Sequence, residues 1–141
     1  MPANTSPITI AQGNIGWTDA ITTALNTYTG TTLVAANLIW TAGANGGFLE
    51  RIRIQSLGTN VASLARFFLN NGSTPATAAN NICLLEVSIP ATAASALLPL
   101  PPWEIPVMGG GIVVNAGYRL YGCIATAVAA GVQFCAVGGD F

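Results

Sequence analysis

Short apolar runs recur along this chain, and Gly, Asn, Pro or Thr interrupts each one before a helix of ordinary length is complete. Helical periodicity is scarce. The best helical stretch is residues 19–25, with Thr18 as a cap, and the threonines there suit a strand equally well. This punctuation restricts the chain to many strands joined by turns. A length of 141 residues bounds it to one domain with a core of its own.

The strands are read from alternation. Residues 32–40 (TLVAANLIW) are rich in β-branched and aromatic side chains and are predicted as a strand, followed by a turn over 42–47. In residues 48–57 (FLERIRIQSL), Phe48, Glu50, Ile52 and Ile54 fall on one side, and Leu49, Arg51, Arg53 and Gln55 on the other. The isoleucine side is predicted to face the core, with Glu50 near the strand end in reach of water. Residues 61–69 (VASLARFFL) form the next strand, with Val61, Ser63, Ala65, Phe67 and Leu69 on one face. In residues 82–89 (ICLLEVSI), Cys83, Leu85, Val87 and Ile89 make the better core face. The Ala- and Pro-rich connection over 90–102 is long enough to cross between sheets. Residues 103–108 read as a short strand that Pro106 places at an edge, and 112–114 as another before the 115–117 turn.

The clearest hairpin pairs residues 118–126 (YRLYGCIAT) with 132–140 (VQFCAVGGD). A symmetric loop over 127–131 puts Leu120, Ile124, Val132 and Phe134 on the core face, and Tyr121, Cys123, Cys135 and Val137 on the other. Cys123 then lies across from Cys135. A disulfide is conceivable there; two reduced thiols on a covered face are the simpler reading. Both faces of this hairpin are apolar, which predicts that another subunit covers the outer one. At the start of the chain Pro2 and Pro7 block regular structure, and Ile8 and Ile10 are spaced for one face of a short strand. The expected architecture is all-β: a jelly-roll-like antiparallel β-sandwich of about eight strands. An extended N-terminal arm covers residues 1–12, and one sandwich domain covers 13–141.

Composition narrows function. Hydrophobic residues make up 52% of the chain and charged residues 6%, against roughly 25% in ordinary domains. Net charge is −1, and the four basic residues are Arg51, Arg53, Arg66 and Arg119, so phosphate backbones find no basic patch and no nucleic-acid partner is expected. The charge-free stretch 120–139 has the length of a membrane helix. Its glycines and weak apolarity, with no flanking Lys or Arg cluster, argue against a span. The opening MPANTSPITI shows no signal peptide. Three cysteines without metal spacing read as reduced thiols in a cytoplasmic setting.

With no His and no Lys, Ser–His pairs, His-ligated metals and lysine nucleophiles are excluded. The five acids are scattered singly, with Glu50 and Glu86 available to nearby arginines. The chain is therefore expected not to be an enzyme, with no catalytic, metal or cofactor site. Trp17, Trp40 and Trp103 offer a carbohydrate platform as an alternative, with Trp103, surrounded by prolines, the member expected to be exposed.

Three stretches carry a resemblance. They are GTNVASLARFFLNNG (58–72), TAANNICLLEVSIPAT (77–92) and NAGYRLYGCIATAVAAGVQFCAVGGDF (115–141). In this order they resemble a group of small tailed-bacteriophage virion proteins, over about two-thirds of the chain. The resemblance implies a capsid decoration, or cement, protein. It would be a homotrimer on the outer head that bridges neighbouring major capsid proteins and stabilises the expanded shell. It would be assembled in the host cytoplasm and reside in the virion. A head fibre, tail or baseplate component is the alternative, as is a carbohydrate-binding module on the particle. The residues expected at interfaces are Pro2, Pro7, Ile8, Ile10, Trp103, Tyr121, Cys123, Cys135, Val137 and Phe141.

Overall fold

The computed structural model describes residues 10–141, so Pro2, Pro7 and Ile8 of the expected arm lie outside the described residues. Nine strands form among the described residues: β1 (Gln12–Trp17), β2 (Leu38–Thr41), β3 (Gly47–Ser56), β4 (Ser63–Asn70), β5 (Asn81–Ile89), β6 (Pro102–Pro106), β7 (Ile112–Val114), β8 (Arg119–Ile124) and β9 (Val132–Asp140). They make two antiparallel sheets. The first runs β1-β9-β3-β6, with β7 pairing the start of β3, and the second runs β2-β8-β4-β5. The chain is an all-β sandwich, as alternation and turn spacing predicted.

The inward-facing side chains of both sheets form one core. Ile52 and Ile54 of β3, Ala65 and Phe67 of β4, Leu120 and Ile124 of β8, and Val132 and Phe134 of β9 are all fully buried in it. The rings of Phe67 and Phe134 meet edge-on across the sheets at 4.9 Å. That geometry sets the positive ring edge on the negative face. Trp40 closes the side of the sandwich, and its indole N–H donates to the Asn14 carbonyl at 3.2 Å, tying β2 to β1.

The predicted 118–140 hairpin does not form. β8 pairs β2 and β4 in the second sheet, whereas β9 pairs β1 and β3 in the first. Leu120, Ile124, Val132 and Phe134 do face the core, but from opposite sheets. Alternation specifies which face a residue takes and not which strand lies beside it. The 125–131 connection crosses the sandwich instead of turning within a sheet. Cys123 therefore lies opposite Arg66 of β4, and Cys135 lies between Trp17 of β1 and Arg53 of β3, so the cross-strand disulfide falls away and all three cysteines are free.

Two bulges shift faces that simple alternation misassigned. On β3 the register with β9 slips between Leu49 and Arg51, so Leu49 is buried in the core, while Glu50 stays in water. The extra residue lets Leu49 and Ile52 both face the core while Glu50 reaches water, as expected of it. On β5 the slip falls opposite Phe67 and Phe68, and it turns Cys83 out to solvent, away from the predicted core face.

Three boundaries also differ. Of the predicted 32–40 strand only the last three residues lie in a strand, β2 (Leu38–Thr41). Ala35–Asn37 is a 3₁₀ turn, because the Asn37 side chain accepts from Val34 N–H at 3.2 Å and donates to the Gly122 carbonyl at 3.0 Å. Residues 19–25 form no helix. The predicted 103–108 strand ends at Pro106 and gives way to a 3₁₀ turn over Val107–Gly109, with β6 at the sheet edge as expected.

Candidate interaction surface

The outward side of the second sheet carries Phe68, Tyr121 and Cys123, which form a second apolar cluster. The chain covers that cluster itself. Leu33 is buried against it, with Leu25 and Leu38 at its margin. Arg66 holds this covering stretch down from β4. Its guanidinium is ion-paired with Glu86 of β5, donates to the Asn26 side-chain oxygen at 2.6 Å, and sits 3.9 Å from the centre of the Tyr28 ring. A buried guanidinium requires such partners, and here a carboxylate, an amide and an aromatic face supply them. Tyr121 and Cys123 thus lie beneath residues of their own chain. The apolar outer face that predicted a second subunit here is covered from within.

Burial pushes the Cys123 thiol up to about 11, against the opposing pull of Arg66. Burial also raises Cys135, with Arg53 opposing it. Neither thiol is poised as a nucleophile.

Among the described residues two apolar surfaces stand open. The first is one end of the sandwich. Loops 57–62, 90–101 and 125–131 meet there around Asn60. Its backbone pairs with Thr92, its side-chain amide donates to the Gly131 carbonyl at 2.8 Å, and its side-chain oxygen accepts from Ala130 N–H at 2.8 Å. The Thr92 hydroxyl donates to the Gly58 carbonyl at 2.7 Å. None of these three loops contains a charged residue. Yet Leu97 is 91% exposed and Leu98 71%, with Leu57 and Val61 also open. The opposite end is polar: its loops carry Asn45, Asn71, Ser73, Thr74, Thr77, Asn80 and Asn115.

The second open surface is the outer face of the first sheet. Ile15, Val137, Arg51 and Pro106 form one cross-strand row, and Trp17, Cys135, Arg53 and Glu104 the next. Trp17 is 64% exposed. Trp40 is buried and Trp103 is half-buried, because Trp103 pairs with Ile54 and shares its inward face. The exposed tryptophan is thus Trp17 and not Trp103. Cys135 and Val137 are half-buried on this face, Ile10 is exposed just before β1, and Phe141 is half-buried with its N–H donating to the Gly46 carbonyl at 3.3 Å.

The sequence pointed to Cys135 and Val137 and named Trp17 among three platform tryptophans, though it expected Trp103 to be the exposed one; it missed Leu97 and Leu98. The absence of charge from residues 87–103 was the available signal for the two leucines. Among the described residues no three of His, Cys, Asp or Glu come together as metal ligands, and no helix is long and apolar enough to cross a membrane. Arg66–Glu86 is the one salt bridge among them. Compared with protein-family models and with curated proteins, the chain matches none.

Proposed function

We propose that this chain is a structural virion subunit that decorates and cements the outer surface of a phage capsid, docking through the uncharged loop end. The observation that carries this reading is that end: four open aliphatic side chains on loops without a charge. Exposed leucines in water are unfavourable, and a protein surface that covers them recovers hydrophobic free energy without desolvating an ion. A cementing subunit needs such contact area and no reactive group. The strand order supports reading the sandwich as a jelly roll, since β1-β9-β3-β6 over β2-β8-β4-β5 is two interlocked Greek keys. In this reading the chain acts as a homotrimer that bridges major capsid proteins and holds the expanded head.

The test is binding to undecorated expanded capsids. Wild type should saturate them, and the double variant Leu97→Ser/Leu98→Ser should lose at least tenfold in affinity. Failure of wild type to bind, with co-purification on tails, overturns the cement reading.

A further inference from the structure

The outer face of the first sheet holds a shallow depression of about 400 Å³, lined by Trp17, Arg53, Gln55, Gln133 and Cys135. Its volume is within the usual range of small-ligand sites. Its position is rigid, because every lining residue stands on β1, β3 or β9, and strands hold side chains more tightly than loops do. The indole of Trp17 is its apolar wall.

The polar groups are partly fixed in advance. The Gln133 amide donates to the Thr18 carbonyl at 2.9 Å, and its side-chain oxygen has no partner among the described residues. The Gln55 amide donates to the Ser56 carbonyl at 3.0 Å. Among the described residues Arg53 makes one long contact, 3.5 Å to the Gln55 side-chain oxygen, and forms no ion pair. Glu104 lies beside it in register and balances its charge across the row. The depression therefore offers an open aromatic face, a guanidinium fork with free N–H groups, and an oriented amide oxygen.

A pyranose ring has the matching chemistry. One face presents C–H groups that lie against an aromatic ring, and its rim presents hydroxyls that both donate and accept. Planar guanidinium and amide groups serve such hydroxyls in pairs. Groups already held in place lose little entropy on binding. From this geometry we propose that the depression is a binding site for a neutral hexopyranose unit of a polysaccharide, with Trp17 as the stacking platform and Arg53 and Gln133 as the hydroxyl partners. The site goes beyond the cementing role and shares no residue with the loop end.

The test is an array of neutral and uronic oligosaccharides probed with the full chain, followed by fluorescence titration of the tightest neutral hit. Wild type should bind neutral sugars with a change in tryptophan emission. Trp17→Ala should weaken binding at least tenfold, which is about 1.4 kcal/mol. Arg53→Ala should weaken it as well. Trp103→Phe and Leu97→Ser/Leu98→Ser should leave it unchanged, so that loss of capsid docking and loss of sugar binding can be told apart. Trp17 is largely exposed, and an unchanged circular dichroism spectrum of Trp17→Ala checks that the variant folds. No neutral sugar bound at millimolar concentration, binding confined to uronic sugars, or equal binding by folded Trp17→Ala would each overturn the proposal.

Discussion

Cys123 shows how a single side chain reports on the layer above it. It lies under Leu33 beside Phe68 and Tyr121, and burial holds its thiol protonated up to about 11, against a reference value of 9.0. In the unfolded chain the same thiol ionises near 9.0. The folded state therefore keeps a proton that the unfolded state releases between these values. The resulting stabilisation is complete below pH 9.0 and is lost as pH rises toward about 11. Relative to a Cys123→Ala variant, wild type should lose about 2–3 kcal/mol across that window, read as the difference in urea midpoints. Native chain at pH 8 should react with a thiol reagent first at exposed Cys83, and Cys123 should react only after unfolding. Parallel pH dependence in the two proteins, or rapid labelling of Cys123, would show that the covering stretch does not seal it.

At the scale of the strand, the sheets meet most closely at β1 and β2. A Cβ on Gly16 would collide with the Ile39 carbonyl oxygen and lie 3.1 Å from the Trp40 Cα. No side chain could move aside, since both obstacles are backbone. Gly16→Ala should therefore part the strands, strain the Trp40–Asn14 bond, and cost about 1–3 kcal/mol in a chemical denaturation curve. A variant as stable as wild type would mean that β1 shifts freely. The sequence revealed most strand positions, because period-two alternation is written directly into FLERIRIQ and VASLARFFL. It did not reveal pairing. Residues 118–140 look like a hairpin because nothing in two apolar strands says whether they are neighbours or face each other across a core. Nor did it reveal the bulges at Glu50 and in β5, since a bulge is an agreement between two strands and neither sequence contains it alone. The site was legible to the same degree. Cys135 and Val137 were placed on an outer face by alternation, whereas which of the three platform tryptophans is exposed became visible only once β1 was set beside β9.

Taken whole, the molecule is polarised, with a polar Asn- and Thr-bearing end and an uncharged end bearing leucines. Leu97 and Leu98 touch little of the chain itself, so replacing both with Ser should change unfolding stability by less than about 0.5 kcal/mol while weakening the proposed capsid docking at least tenfold. A large fall in stability would assign these leucines to the fold instead. The strand order has a further consequence, for biosynthesis. β9 is the last strand of the described chain, yet it lies in the middle of the first sheet, between β1 and β3. Until residues 132–140 leave the ribosome, β1 has no partner in its sheet and β3 is open along one side. Neighbours this distant in sequence close slowly. Nascent chains arrested with Gly131 the last residue outside the ribosome should stay sensitive to protease, and emergence of residues 132–140 should confer resistance in one step. The first sheet is thus expected to close only after β9 has emerged, and until then its open strands are substrates for chaperones.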